Sequence, residues 1–473
     1  MLKLRYMILA IILISIIIRI VLAADNVFSS GFVNFPGPDS YYHADRMRAM
    51  MATFPGVPAG MSLWGADWLM IAVSWLFGGF ILGVKTWEYF VVFVPPLLAG
   101  VIIFMVYIIG SRLFNKLAAL LGAFLLAVLP GEFMNRTLLG VIDHHVIEVL
   151  ITTLAATVVI VGITFKKMPT WGTAVMLAVS AGCMVAYRYI WLGATFLSAG
   201  DIPNITTGYS ESYAQTLATT TEAVPLLYAS DVNVIIHALL AVTGIVVAIK
   251  ASGSWKRLLI VAWTAVMLAA TVWQTRFDYY LIVPTSILSG YMLVLFYLKG
   301  NKRNFNIPQA LAVMLVVVLT IISMVTYAGI YRSDLNAPSD DWNTALEWVS
   351  KNTPEAAVVL AWWDYGYWIR YRGERKAYVT PGVEGDRVPL VARAFISNDP
   401  DPIVPAGDYV MVCDDTAYNY THVMALWADL NIYDVDLDNT LAVRLYENRP
   451  PPSYRLVYDG GVKVYEYAGG RLQ

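Results

Sequence analysis

The sequence has few charged residues and few of the side chains that build disulfides or metal sites. Only 14% of its 473 residues are charged, and it contains two cysteines and five histidines. Cys183 lies in an apolar run and Cys413 in a polar region, so we expect no disulfide. The net charge of −2 gives no reason to expect a nucleic-acid partner. Hydrophobic residues make up 58% of the chain, which is too apolar for an ordinary soluble protein.

The charged residues are concentrated near the end of the chain. Residues 331–473 hold 34 of the 66 Asp, Glu, Lys and Arg residues. We therefore expect a membrane domain over 1–330, with long outer loops at 24–87 and 194–231. A soluble domain should follow over 331–473.

Runs of about 17–25 apolar residues mark candidate membrane spans. The sequence contains nine, near 5–23, 88–110, 117–133, 144–165, 172–193, 232–250, 258–274, 278–298 and 307–329. A tenth stretch, 64–83, contains Asp67 and several glycines, and we interpret it as an interfacial helix in an outer loop. With a cytoplasmic N-terminus, every inner segment of this nine-span arrangement is basic, as the positive-inside rule requires. The soluble domain is then extracytoplasmic, and the chain is expected in the cell membrane.

The outer segments contain the side chains with possible chemistry. Asp143, His144 and His145 begin a span, and adjacent carboxylate and imidazole groups there suit a divalent cation. Asp143 is equally compatible with a simple helix N-cap, with the two imidazoles as bystanders.

Three further polar residues lie in outer segments, and each has a simpler alternative role. Asp39 follows the turn sequence FPGP and precedes an amphipathic helix, where an N-cap is the plainest role. Glu222 ends a long polar loop and is either a solvated acid or part of a functional lid. Arg276 lies among aromatic residues at a span end, where its guanidinium can reach headgroups or bind a lipid phosphate.

The pentapeptide WWDYG occupies residues 362–366 of the soluble domain. It is consistent with a packed strand end. It is also consistent with a pocket in which Asp364 accepts a hydroxyl proton between Trp362 and Trp363.

Taken together, these motifs resemble the catalytic subunit of oligosaccharyltransferase, in its archaeal form. The resemblance rests on WWDYG, an aspartate in the first outer loop, the Asp-His-His motif after NRT, and a Thr-x-x-Glu motif before proline. It implies a membrane domain like that of C-type glycosyltransferases, followed by a mixed α/β extracytoplasmic domain. The family transfers an oligosaccharide from a dolichol-type lipid (pyro)phosphate to the asparagine of Asn-X-Ser/Thr sequons, with inversion at the sugar carbon.

The resemblance also assigns roles to individual residues. The catalytic pair is Asp39 and Glu222, and Arg276 holds the lipid phosphate. The positions that match the ligands of a Mn²⁺ or Mg²⁺ ion are Asp39, Asp143, His145 and Glu222. The residues that match the acceptor-sequon site are Trp362, Trp363, Asp364 and Met424. Supporting positions are Arg136, His144, Tyr365 and Gly366.

The partners that the resemblance implies are a lipid-linked oligosaccharide, an acceptor polypeptide and membrane lipid, all served by a single-subunit enzyme. The family usually has thirteen spans, so four would be missing after the fifth. Three alternatives remain. The chain could be another polyprenyl-phosphate-sugar-dependent membrane glycosyltransferase, an inactive short paralogue, or a transporter with an outer domain. A transporter should show ionisable residues at mid-membrane depth or paired broken helices.

Overall fold

The computed structural model describes most of the chain and divides it into two compact units. The described residues are 2–28, 31–51, 65–74, 87–164, 226–228, 231–251, 255–300, 337–381, 387–402, 404 and 407–468. Of these, 2–27 and those between 65 and 300 form the membrane unit. Residues 28–51 and those from 337 onward form the soluble unit.

Helices dominate the membrane unit and are short in the soluble unit. In chain order, the described helices are α1 (Leu2–Val27), α2 (Pro38–Met51), α3 (Gly65–Ser74), α4 (Trp87–Val91), α5 (Val94–Leu113), α6 (Lys116–Val128), α7 (Glu132–Asn135), α8 (His145–Thr164), α9 (Val232–Lys250), α10 (Lys256–Trp273), α11 (Asp278–Gly300), α12 (Asp340–Asn352), α13 (Gly366–Tyr371), α14 (Val388–Phe395), α15 (Thr421–Trp427) and α16 (Leu441–Tyr446). The described strands are β1 (Val358–Leu360), β2 (Lys376–Ala377), β3 (Tyr409–Val412), β4 (Tyr454–Tyr458) and β5 (Lys463–Tyr467).

Six helical segments of the described chain are long and apolar enough to cross a membrane. They are Leu4–Val27, Trp87–Leu113, His145–Thr164, Val232–Lys250, Lys256–Trp273 and Thr275–Tyr297. The candidate span 117–133 contains the shorter apolar helix α6. The candidates 172–193 and 307–329 lie outside the described residues. The polytopic helical fold class is therefore confirmed, and of the ambiguous stretch 64–83 the structure describes only α3.

Small residues allow the helices of the membrane unit to pack closely. Helix α11 packs against α6 and α9. A Cβ added at Gly290 of α11 would overlap the backbone of Ala118 and Gly122 on α6. In turn, a Cβ at Gly122 would lie 2.9 Å from the carbonyl oxygen of Ser286. Without a hydrophobic driving force in lipid, such close backbone approach is a main source of helix association.

The soluble unit is built on a five-stranded mixed sheet, as the α/β class predicts. The strand order is β2-β1-β3-β5-β4. Strand β1 is parallel to both neighbours, with Val359 opposite Ala377 and Tyr409. Strands β5 and β4 are antiparallel additions beyond β3. The carboxyl ends of β2, β1 and β3 therefore share one edge, where the loops of parallel sheets usually carry function.

Helix α2 packs in the soluble unit rather than as a loop of the membrane unit. Its Tyr41 ring lies 5.5 Å from the ring of Tyr371 and 6.2 Å from that of Trp368 on α13. Arg370 Nη2 donates to Asp45 Oδ2 at 2.7 Å, across the same contact. The sequence alone predicts an outer loop of the membrane domain here. The composition and charge of a loop do not show which distant helix it will contact.

Candidate functional site

The WWDYG segment lies at the carboxyl end of the central parallel strand. Strand β1 ends at Leu360, and a 3-10 turn over Trp363–Tyr365 leads into α13. Next to it, Cys413 to Tyr420 follow the end of β3. The sheet topology thus brings WWDYG and residues 413–420 to one edge, although about fifty residues separate them in the chain.

Asp364 lies half-buried in an environment that disfavours its charge. Burial, with a contribution from the negative charge of Asp39, raises the pKa of Asp364 to about 7. The charge of Asp364 in turn adds to burial in raising the pKa of Tyr420, so this phenol stays protonated. Such a carboxyl is dry enough to make a strong hydrogen bond and still becomes ionised near neutral pH.

Aromatic rings from α15 and its preceding turn pack on the two tryptophans. Trp362 is fully buried, and its ring lies 6.3 Å from Tyr420. The ring of Trp363 lies 5.7 Å from that of Trp427. Met424 is fully buried on α15, four residues after Tyr420 and three before Trp427. This spacing places all three on one helix face, the face turned to WWDYG.

Tyr365 and Gly366 anchor the segment through contacts with neighbouring parts of the soluble unit. Cys413 Sγ donates to the hydroxyl oxygen of Tyr365 at 3.3 Å, and the Tyr365 ring lies 4.3 Å from that of Trp342. A Cβ at Gly366 would overlap the carbonyl oxygen of Val379 and lie 2.8 Å from Thr380 Cα. Glycine is therefore required at the start of α13, because the backbone after β2 approaches it closely.

Asp39 is an exposed residue in the first turn of α2. An acid there is favoured by the helix dipole, whatever else it does. Because α2 packs on α13, Asp39 lies close enough to Asp364 and Tyr367 to affect the pKa of both groups. The structure thus brings the first-loop aspartate and WWDYG into one unit.

The Asp-His-His motif forms a buried polar cluster at the start of α8. Asp143 is 1% exposed, and its Oδ2 accepts from Arg136 Nη1 at 3.2 Å. The same oxygen lies 3.5 Å from His145 Nε2. His144 Nδ1 lies 2.6 Å from the other oxygen, Oδ1. Arg136 is held in place by a second contact, to Glu132 Oε2 at 3.3 Å.

Glu148, which the sequence analysis did not select, completes this cluster. Its Oε2 lies 3.0 Å from His145 Nδ1. It also accepts from the hydroxyl groups of Tyr279 at 3.1 Å and Tyr280 at 2.8 Å. Glu148 lies three residues after His145 on the same helix face, and this spacing was the only available sequence signal.

Arg276 lies half-buried in the 3-10 turn that precedes α11, next to Tyr279 and Tyr280 in the chain. Its guanidinium makes no hydrogen bond or ion pair with another residue in the part of the chain that the structure describes. Glu222, the remaining predicted residue, lies outside the described residues. The membrane unit thus brings together four of the predicted residues, as their proximity in sequence suggested: Arg136, Asp143, His144 and His145.

Two family models match the regions that carry these motifs. Residues 57–243 match the model described as oligosaccharyl transferase STT3, N-terminal. Residues 355–401 match the STT3/PglB/AglB core domain. The first range includes Asp143 and Glu222, and the second includes WWDYG.

Similar proteins come from archaea. The chain is 30% identical over 137 residues to dolichyl-phosphooligosaccharide-protein glycotransferase 1 of Pyrococcus horikoshii, covering 25% of this chain and 14% of that protein. It thus matches much less than two thirds of that relative's length. A glycotransferase 1 of Archaeoglobus fulgidus is 23% identical over 586 aligned positions, which cover 94% of this chain and 96% of the relative.

The fold is shared with solved structures of the Archaeoglobus fulgidus oligosaccharyltransferase. One carries a tethered acceptor peptide with the NVT sequon and gives a TM-score of 0.68 at 16% identity, covering 96% of this chain and 79% of that one. Another, a complex with Zn and sulfate, gives 0.67 at 18% identity, covering 89% and 69%. The two family models thus show that residues 57–243 and 355–401 are similar to domains of the STT3 family, and the structural comparison shows that the chain shares the fold of an archaeal oligosaccharyltransferase.

Proposed function

We propose that this protein transfers an oligosaccharide from a dolichol-type lipid (pyro)phosphate to the asparagine of Asn-X-Ser/Thr sequons. The observation that carries the proposal is Asp364, a half-buried carboxyl with a raised pKa, in a segment whose two tryptophans pack on Tyr420 and Trp427. The names of the archaeal relatives and the acceptor peptide bound to a protein of the same fold support it. Another glycosyltransferase that uses lipid-linked sugars would give no reason for WWDYG.

Asp364 would recognise the sequon through its hydroxyl. An ionised carboxylate accepts a hydrogen bond from Ser or Thr, while the rings around it exclude water. A peptide without the hydroxyl would leave this carboxylate buried and unpaired, which is the condition under which sites discriminate strongly. Trp362, Trp363 and Met424 would form the walls that limit the size of the accepted side chain.

Asp39 and Glu222 would act on the acceptor amide. The lone pair of a carboxamide nitrogen is delocalised into the carbonyl group, so the nitrogen is a poor nucleophile. Two carboxylates that each accept one N–H would hold the amide twisted and aimed at the anomeric carbon. A single displacement at that carbon predicts inversion. These two assignments rest on the resemblance to the family.

The Asp143 cluster fits a divalent cation. His145 Nε2 and Asp143 Oδ2 lie 3.5 Å apart and converge, which suits ligands that share one ion. A mixed imidazole and carboxylate set is compatible with Mn²⁺ or Mg²⁺, with Mn²⁺ better suited to the imidazole. Such an ion would neutralise charge that develops on the phosphate leaving group. A protein of the same fold binds Zn together with sulfate, which supports a metal and anion site.

Arg276 would contribute to binding of the lipid-linked phosphate. Its half-buried guanidinium is paired with no other described residue, and the planar fork of donors matches a phosphate. His144 and Arg136 would help to fix Asp143 rather than contact the donor, because both already bind its carboxylate. A single chain would carry all of these functions.

The first prediction separates acceptor recognition from catalysis. Asp364→Ala should weaken binding of an Asn-X-Thr peptide about tenfold to a hundredfold, because one charge-assisted hydrogen bond in a dry pocket contributes roughly 1.5–3 kcal/mol. The preference for this peptide over Asn-X-Ala should largely disappear. Asp39→Ala should lower turnover more than affinity. Peptide affinities and turnover rates of both variants are the measurement.

The matched control for this experiment is Asp438→Ala, which removes an exposed carboxylate from the same unit. It should behave as the wild type. If Asp364→Ala keeps the full preference for threonine over alanine, WWDYG has only a structural role in this chain.

The second prediction concerns pH. Because the pKa of Asp364 is raised to about 7, the free site is largely protonated at pH 6 and ionised at pH 8. The hydroxyl binds the ionised form, so affinity for Asn-X-Thr should rise with pH, by up to about tenfold per pH unit below the free pKa. The Asn-X-Ala peptide and the Asp364→Asn variant should show no such rise. Equal pH profiles for the two peptides would rule out this titration.

The third prediction is metal dependence. Chelation with EDTA should abolish transfer, and Mn²⁺ or Mg²⁺ should restore it, because Asp143 and His145 are arranged as ligands. Transfer is followed as a mobility shift of a fluorescent sequon peptide. Undiminished transfer in excess chelator would contradict a metal role for this cluster.

The fourth prediction concerns topology. We propose a cytoplasmic N-terminus and an extracytoplasmic active site in the cell membrane, because the inner segments of this arrangement are basic. Single cysteines near residues 30, 210 and 340 should react with an impermeant reagent added from outside. Labelling near 210 only after permeabilisation would show that the number of preceding spans is wrong.

A further inference from the structure

Glu148 is the least expected acid of the membrane unit. It lies one turn into α8, in a segment long and apolar enough to cross a membrane. The residue is only 5% exposed. An ionisable residue in such a position is costly unless it is paired, and it usually has a role.

In the part of the chain that the structure describes, the side-chain hydrogen bonds of Glu148 converge on one oxygen. Oε2 accepts from the Tyr279 and Tyr280 hydroxyl groups at 3.1 and 2.8 Å and lies 3.0 Å from His145 Nδ1. An oxygen that accepts two phenol protons has no room for a proton of its own. The third contact is therefore made by an N–H on His145 Nδ1.

This contact determines which ring nitrogen of His145 carries the lone pair that can bind a cation. With the proton on Nδ1, Nε2 of the neutral ring carries the lone pair. In that tautomer Nε2 presents its lone pair on the side of Asp143, whose Oδ2 lies 3.5 Å away and also accepts from Arg136 Nη1. Neighbouring ligands of an octahedral Mn²⁺ or Mg²⁺ ion lie about 3 Å apart, close to this separation.

We propose that Glu148 is a positioning residue for the metal site, which holds His145 in the tautomer and orientation that present Nε2 as a ligand. The proposal deepens the metal dependence proposed above and rests on it. Carboxylates that accept from the second nitrogen of a ligating histidine are a general device for this purpose. The unusual feature here is that two tyrosines from another helix hold the carboxylate.

Those tyrosines also connect the metal ligand to the proposed phosphate-binding residue. Tyr279 and Tyr280 stand in the first turn of α11, three and four residues after Arg276. The ring of Tyr279 additionally packs 5.0 Å from the His145 ring. Glu148 thus joins the start of α11 to the start of α8, and the turn that carries Arg276 leads directly into α11.

A direct-ligand role for Glu148 is the competing explanation. Ligand atoms of His144, His145 and Glu148 all lie within 4.8 Å of one another, so proximity alone permits it. Glu148 Oε2 already contacts Tyr279, Tyr280 and His145, and the ¹⁴N coupling of bound Mn²⁺ distinguishes a positioning role from a ligand role.

The experiment uses the full-length protein in lipid nanodiscs and Mn²⁺ alone as the probe. Free Mn²⁺ is titrated by its EPR signal, and electron spin-echo modulation reports whether a ¹⁴N nucleus is bound to the ion. Glu148→Gln should bind Mn²⁺ about tenfold to a hundredfold more weakly and lose much of the ¹⁴N coupling. Tyr280→Phe should weaken binding about threefold to tenfold, because Tyr279 and His145 still contact the carboxylate.

Two controls make the result specific. Glu355→Gln, an exposed position in the soluble unit, should leave both signals unchanged. Asp143→Ala should abolish high-affinity binding. A thermal unfolding curve for each variant shows that it is folded.

Each contrary outcome has a distinct meaning. Wild-type affinity and coupling in Glu148→Gln would overturn the positioning role while leaving the metal site intact. Weaker binding with full ¹⁴N coupling would make Glu148 a direct ligand and also overturn the proposal. Absence of Mn²⁺ binding in the wild type, or unchanged binding in Asp143→Ala, would refute the metal site itself and the positioning role with it.

Discussion

The packing of α2 on α13 is the contact on which the candidate site of the soluble unit depends. Aromatic rings fill it, with Tyr41 between Phe35, Trp368 and Tyr371. Arg48 closes it by stacking 3.7 Å from the centre of the Tyr371 ring and donating to the Tyr371 carbonyl oxygen. Buried aromatic clusters of this kind contribute both area and directional contacts. Because the contact joins the Asp39 helix to the WWDYG helix, a first-loop aspartate becomes part of the unit that carries WWDYG.

The sheet makes the second essential contribution. Parallel pairing of β1 with β2 and β3 places the carboxyl ends of all three strands at one edge of the sheet. The segment that follows each strand contributes residues around WWDYG. Asp364 follows β1, Tyr420 comes from the segment after β3, and the backbone after β2 packs on Gly366. A hydrophobic rim around a single carboxyl raises its pKa and strengthens the hydrogen bonds that it makes.

Contiguous features of the site could be predicted from sequence, and long-range features could not. The residues of WWDYG and of Asp-His-His are contiguous in the sequence, so their residue types can be interpreted without knowledge of the fold. The long apolar helices follow from composition and length. The partners of Glu148 are 131 and 132 residues away, and Arg370 meets Asp45 across 325 residues. The residue pattern around Glu148 or around Asp45 does not encode such a distant pairing. The sequence therefore predicts only a loop for α2 and does not point to Glu148. Tyr420 and Trp427 did share a helical spacing with Met424, a signal that could have been used.

The proposal with the widest consequences is that this protein is an active oligosaccharyltransferase. Its most direct test incubates the purified protein with a fluorescent Asn-X-Thr peptide, archaeal lipid-linked oligosaccharides and Mn²⁺, and measures the peptide's mass. The account predicts a glycan-sized increase on this peptide and none on a matched Gln-X-Thr peptide. An unchanged Asn-X-Thr peptide, with a related archaeal enzyme active on the same lipids, would contradict it.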